Sequence, residues 1–209
     1  MGVLLRASEV AKLPVVTFAG EDVAQIKDVV YVGNGGEVAG FTLNGRGFFA
    51  GALKVTLPWA KVVGLGPDAA IIADEDALVP PEELLAAAAG EDGTGGAAGD
   101  VLRSQVLTDD GTALGVVVDV VLGIGAPAGS DQHGKADVVG YEIDPAESLG
   151  RGKNRLFIPL PDTLAVSGEH LIVPAVARDF VTDDLAGFGA AVDDFRARLR
   201  GFENEGGNR

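Results

Sequence analysis

Residues 15–30 reappear as residues 106–121, and this internal repeat constrains the fold more than any other feature of the chain. The alignment has no gaps: Thr17-Phe18-Ala19-Gly20 through Asp28-Val29-Val30 lies over Thr108-Asp109-Asp110-Gly111 through Asp119-Val120-Val121, at a constant offset of 91. Further on, Val38-Ala39-Gly40-Phe41 meets Val138-Val139-Gly140-Tyr141 at an offset of 100, and Leu57-Pro58 meets Ile158-Pro159 at 101. The segment order persists while one loop grows, which is the mark of a duplicated module. What repeats is glycine and apolar side chains, with no catalytic set, so the duplication speaks to architecture before activity.

A chain of 209 residues accommodates one large domain or two small ones, and the repeat decides for two. Apolar residues make up 47% of it, enough for a core in each half. With 31 acidic against 16 basic side chains the formal charge is −15, which repels a phosphate backbone and excludes general nucleic-acid binding. There is no cysteine, hence no disulfide, thiolate metal site or cysteine nucleophile. Two histidines, His133 and His170, cannot supply a three-histidine zinc site, and neither has a serine and an acid arranged beside it as a triad requires. No cofactor or metal is expected. The N-terminal residues lack the pattern of a secretory signal, and no apolar run approaches the ~20 residues that span a bilayer. The expectation is a cytoplasmic protein without a membrane span.

Short strands separated by turn residues dominate the first half. Arg6 to Lys12 reads as a helical turn with Val10 and Leu13 facing inward, ended by Pro14. Pro14 to Thr17 and Ala24 to Tyr31 flank a turn at Gly20, where glycine permits positive φ. A second turn at Gly33 to Gly36 leads into Val38 to Leu43, and Lys54 to Leu57, Lys61 to Gly64 and Ala69 to Ala73 complete a small antiparallel barrel. Pro80-Pro81-Glu82-Glu83 opens a short helix, with proline suited to its first turn and acids at the positive end of its dipole. Glu91 to Gly99 has almost nothing to bury and reads as a flexible linker. In the second half the loop from Gly123 to Gly134 and the polar stretch from Asp144 to Asn154 are enlarged. Beyond them Leu185, Phe188, Val192, Phe195 and Leu199 recur at helical spacing, with Gly201 as the stop and a disordered tail from Glu203. Residues 1–80 form the first module, 81–99 a short helix and linker, 100–181 the second module, and 182–209 the C-terminal helix and tail.

Leu13-Pro-Val-Val-Thr-Phe-Ala-Gly-Glu21, Ile26-Lys-Asp-Val-Val30, Val38-Ala-Gly-Phe41, Leu57-Pro-Trp-Ala-Lys-Val62 and Asp68-Ala-Ala-Ile-Ile72 resemble the PRC-barrel family. This family is named for the cytoplasmic domain of the photosynthetic reaction-centre H protein and includes the C-terminal barrel of the ribosome-maturation factor RimM. The second module resembles it more distantly, with Leu160 at the position of Trp59. Together the resemblances cover most of residues 4–175. They imply a mainly β protein of two small antiparallel barrels, used for protein contacts, with no catalytic residues shared across the family.

The remaining motifs are weighed on their chemistry. Gly129 to Lys135 has the GxxxxGK spacing of a phosphate-binding loop, but Ala136 lacks the hydroxyl that would hold Mg²⁺, and the sequence continues as a strand. Asp74-Glu75-Asp76, Asp109-Asp110 and Asp193-Asp194 read as turn and helix residues rather than cation ligands. Phe48 and Phe49 in a glycine-rich loop, the single tryptophan Trp59, the loop residue His133, the basic group Arg151, Lys153 and Arg155, and Phe188 and Phe195 on the C-terminal helix are the candidates for an interaction surface. The expected function is that of a non-catalytic adaptor or assembly protein that binds another protein or itself. In it the enlarged second-module loops and the C-terminal helix carry specificity. Two alternatives are a ribosome-assembly factor binding a ribosomal protein, and a small-ligand binder or enzyme using the cleft between modules.

Overall fold

The computed structural model describes residues 2–32, 36–46, 51–89, 101–125, 134–149, 154–161, 166–167 and 170–206, with only the backbone given for 166–167 and 202–206. The chain is mainly β. It divides into two units, Met1–Ala98 with Leu122–Val138, and Gly99–Val121 with Val139–Arg209.

The first unit opens with a strand, β1 (Val3–Arg6), and a single helical turn, α1 (Ala7–Val10), which buries Val10. β2 (Pro14–Thr17), β3 (Asp22–Tyr31), β4 (Val38–Asn44), β5 (Ala52–Pro58), β6 (Val62–Leu65) and β7 (Ala70–Ile72) then form one sheet in the order β5-β4-β3-β2-β7-β6. Val15, Ala24, Ile26, Phe41, Leu57 and Ile72 are its buried face. The turn between β2 and β3 is closed by Thr17, whose N–H donates to Glu21 O and whose Oγ1 accepts from Glu21 N–H, while Gly20 takes φ +82°.

The second sheet repeats this plan. β8 (Gln105–Thr108), β9 (Ala113–Ile124), β10 (Ala136–Pro145), β11 (Leu156–Pro159), β12 (Val166–Ser167) and β13 (His170–Val173) follow the order β11-β10-β9-β8-β13-β12. Thr108, Thr112 and Gly111 (φ +83°) reproduce the bonds of Thr17, Glu21 and Gly20.

Each sheet departs from the expected all-antiparallel pattern at one place. β2 runs parallel to β7, and β8 runs parallel to β13. A parallel pair needs a long crossover. Residues 18–69 and 109–169 provide it, since the four intervening strands, β3 to β6 and β9 to β12, carry the chain round before it returns beside the first.

The repeat also extends further than the sequence alignment. α2 (Pro81–Ala88), expected between the modules, packs on β4 and β5 of its own unit. Its Leu84 is fully buried over Gly40, where an added Cβ would stand 2.8 Å from Leu84 Cδ1 and 2.3 Å from Leu57 O. α3 (Leu185–Gly206) packs on β11 in the same way, and Phe188 sits over Gly140 with 2.3 Å between its Cζ and an added Cβ. Both helices are reached through an isolated bridge to the strand they cover, Thr56 with Val79 and Phe157 with Thr182. α3 starts where Asp184 caps it, its carboxylate accepting from Ala186 and Gly187 N–H, both at 3.0 Å. It runs through Gly201 to Gly206, so the expected stop and the start of the expected tail are helical. A single glycine costs ~1 kcal/mol in a helix, which neighbouring turns outweigh. The expected linker 91–99 lies outside the described residues.

Candidate interaction surface

The structure distributes the candidate residues unevenly. Trp59 opens a 3-10 helix, Trp59–Lys61, directly after β5. Its ring meets Phe41 edge-on at 6.3 Å, and its Nε1–H donates to Gly134 O at 3.0 Å, within the segment that groups with the first unit. Half-buried, with its N–H satisfied, Trp59 closes one end of the sheet rather than standing free.

Phe188 and Phe195 are both 0% exposed. Phe188 lies 5.5 Å from Phe157 and Phe195 lies 5.6 Å from Phe180, ring centre to ring centre. At these two positions the apolar stripe of α3 is packed within its own unit. Arg155 is exposed and pairs with Asp144 at 3.7 Å, an interaction of small energy at a surface. Phe48, Phe49, His133, Arg151 and Lys153 lie outside the described residues.

The motif readings resolve where the chain is described. Ala136 begins β10, so a strand and not a helix N-terminus follows Lys135, while residues 129–133 of the motif lie outside the described residues. His170 is exposed at the start of β13. The acidic pairs serve the fold. Asp74 Oδ1 accepts from Asp76 N–H at 3.0 Å at the head of a 3-10 helix, Glu75–Ala77. Asp109 Oδ1 accepts from Ala175 N–H at 2.9 Å at the head of another, Ala175–Phe180. Asp110 accepts from the Thr108 hydroxyl and from Thr112 N–H, and these bonds hold its carboxyl below the usual range. No group of three or more metal-ligating side chains occurs among the described residues.

Two features escape sequence reasoning. Asp119 on β9 and Glu142 on β10 are buried carboxylates at the positions that Asp28 and Thr42 hold in the first sheet. Both take part in polar interactions of the fold, Asp119 by accepting from Val120 N–H at 2.8 Å, as burial of a charge requires. The other is Phe18, 68% exposed in the β2–β3 turn and the largest of the exposed apolar side chains among the described residues. The repeat itself held the signal, since it aligns Phe18 with Asp109.

Residues 3–78 match the family model of the PRC-barrel domain. That range begins at β1 and ends just after the 3-10 helix at Glu75–Ala77, so it takes in every strand of the first sheet. No curated protein matches the chain.

Proposed function

We propose that this chain is a cytoplasmic, non-catalytic protein-interaction protein, an adaptor or assembly factor, in which the second sheet is a second PRC-type module in tandem with the first. On this reading its kinship runs to the protein-binding barrels of the reaction-centre H protein and RimM. The observation that carries the reading is how the polar side chains are used. Threonines and aspartates that could act in chemistry are engaged in turn closure and helix capping in both units, while the largest exposed apolar side chain among the described residues is an aromatic ring. Enzymes place perturbed acids and bases in a cleft, whereas binding surfaces present aromatic anchors.

Affinity capture of the intact chain from native lysate at low salt tests it, followed by identification and reconstitution with the purified partner. A stoichiometric complex supports the adaptor reading. Turnover of a small-molecule substrate by the purified chain, abolished by a substitution in the 123–135 loop, would refute it. The exposed acids Asp68, Asp74, Glu75, Asp76, Glu82 and Glu83, with no base between residues 62 and 89, favour a basic partner and hence the ribosome-assembly reading as the second. Co-sedimentation with ribosomal particles at low salt is its expected outcome, and absence from them its refutation.

A further inference from the structure

The first unit displays an aromatic side chain that its fold does not use. The β2–β3 and β8–β9 turns form with the same bonds, so residue 18 and residue 109 occupy one structural position. Asp109 has a task there, accepting the Ala175 N–H that opens a 3-10 helix. In the first unit the corresponding helix is capped from within by Asp74. Position 18 makes no such side-chain bond, and it carries an exposed phenylalanine in a turn that forms with the same backbone bonds on aspartate in the second unit.

The surroundings of Phe18 are charged. Its N–H donates to Ile72 O at 3.1 Å and to Ala73 O at 3.3 Å, which holds it beside the exposed Asp74-Glu75-Asp76. Glu21 and Asp22 follow in its own turn. Two bases are close in the fold: Arg46, paired with Asp22 at 2.8 Å, and Lys61, which precedes the register partner of Ile72. The acids outnumber them.

Resting on the protein-interaction reading above, we infer that Phe18 and these acids form a docking site for a basic protein segment, a lysine- or arginine-rich stretch with an apolar anchor. Sign selects the occupant. A negative surround repels nucleic acid and anionic membrane and attracts cationic side chains at long range. The ring then supplies what charge alone lacks, an apolar centre that excludes water and a face on which a guanidinium or ammonium stacks. A second copy of the chain, itself at −15, is repelled by the same field.

The probe is a fluorescently labelled peptide of lysine and leucine, compared by anisotropy with one of lysine and glycine. Phe18→Asp installs the residue that the second unit already carries at this turn, so folding is retained, and Glu75→Lys reverses one charge without touching the Asp74 cap. Phe18→Asp weakens the leucine-containing peptide by about 30-fold, as loss of an aromatic hot spot does. Glu75→Lys weakens it several-fold, and the glycine-containing peptide binds wild type at least tenfold more weakly. Equal binding by Phe18→Asp and wild type overturns the site, as does equal binding of the two peptides, which would reduce the effect to net charge. Self-association of wild type that Phe18→Asp abolishes also overturns it, assigning the ring to a second copy. A native partner still captured by Phe18→Asp overturns this site while leaving the protein-interaction reading intact. Failure of every version to capture a partner overturns that reading itself.

Discussion

Substituting Gly140 by alanine tests whether the C-terminal helix is part of the second unit's fold or an appendage available to partners. The added Cβ would stand 2.3 Å from Phe188 Cζ, 2.8 Å from Phe188 Cε1 and 2.4 Å from Ile158 O. Ordinary contact begins near ~3.4 Å, so roughly 1 Å of displacement is required on two sides at once. Ile158 O belongs to the backbone of β11, which pairs with β10 through Gly140 and its neighbours. Phe188 is a side chain, but it is fully buried against Phe157, and its movement lifts α3. Overpacking alone costs about 1–3 kcal/mol. Complete loss of the Phe188 contact sets a ceiling of about 3–5 kcal/mol. We expect ~3 kcal/mol, read as a lower urea midpoint at unchanged slope. In a Phe188→Ala background half of the clash is gone, and Gly140→Ala then costs at least ~1 kcal/mol less, a coupling that a double-mutant cycle resolves. A Gly140→Ala protein within about 0.5 kcal/mol of wild type, or strict additivity with Phe188→Ala, would refute the seat of α3 on this glycine.

Two further outcomes follow from the same packing and from the buried tyrosine. A chain ending at Asp183 exposes the surfaces that Phe188, Val192 and Phe195 cover, roughly 5–9 kcal/mol of apolar burial and comparable to the whole stability of a domain, so its second unit fails to give a cooperative unfolding transition, whereas retained cooperativity with loss of a dimer would show that the helix pairs chains instead. Burial pushes the Tyr141 hydroxyl up to about 12 from 10; because the folded-state value is raised, its contribution is fully present below pH 10 and is lost as pH climbs through 12, roughly 2–3 kcal/mol that Tyr141→Phe does not lose, and parallel alkaline stability curves for the two proteins would contradict this.

The strands were legible in the sequence because their apolar alternation and turn glycines recur at nearly fixed offsets. Ala24 and Ile26 point inward between exposed neighbours on β3, and Leu171 and Val173 do the same on β13. Strand direction was not legible. Ala70-Ile71-Ile72 is three apolar residues with no sign of whether it lies parallel or antiparallel to β2. β1 was not legible because it runs straight into α1 with no turn residue between them. The kinship of α2 with α3 was hidden because the two helices share no residue pattern; what they share is the glycine beneath them, Gly40 or Gly140, and that is a property of the fold. The candidate surface was the part least legible in the sequence. Phe188 and Phe195 are buried within their own unit, whereas an amphipathic stripe in the sequence gives no clue to whose core it enters. The contrast at Phe18 is visible only in the structure, where Asp109 accepts from Ala175 N–H while the 3-10 helix beside Phe18 is capped by Asp74 instead, and these residues lie far apart in the chain.

Comparing the two units at equivalent positions separates what the fold requires from what each copy has added. Both keep the threonine–glycine turn, the parallel strand pair and the glycine under the covering helix, so these belong to the scaffold. At the turn the copies diverge outward: Phe18 faces solvent in the first, and Asp109 serves as a cap in the second. In the strands they diverge inward. Asp28 and Thr42 of the first unit bond each other near the surface, whereas their counterparts Asp119 and Glu142 are buried in the second. A buried carboxyl group is tolerated only with partners that hold it in place, so the second unit commits polar side chains to its own interior. An exposed phenylalanine stabilises nothing until something covers it. The two sheets share one strand order, and among the described residues it is the first unit that exposes an aromatic side chain in its β2–β3 turn. On the proposed reading, recognition is therefore the property most sensitive to a single substitution at residue 18.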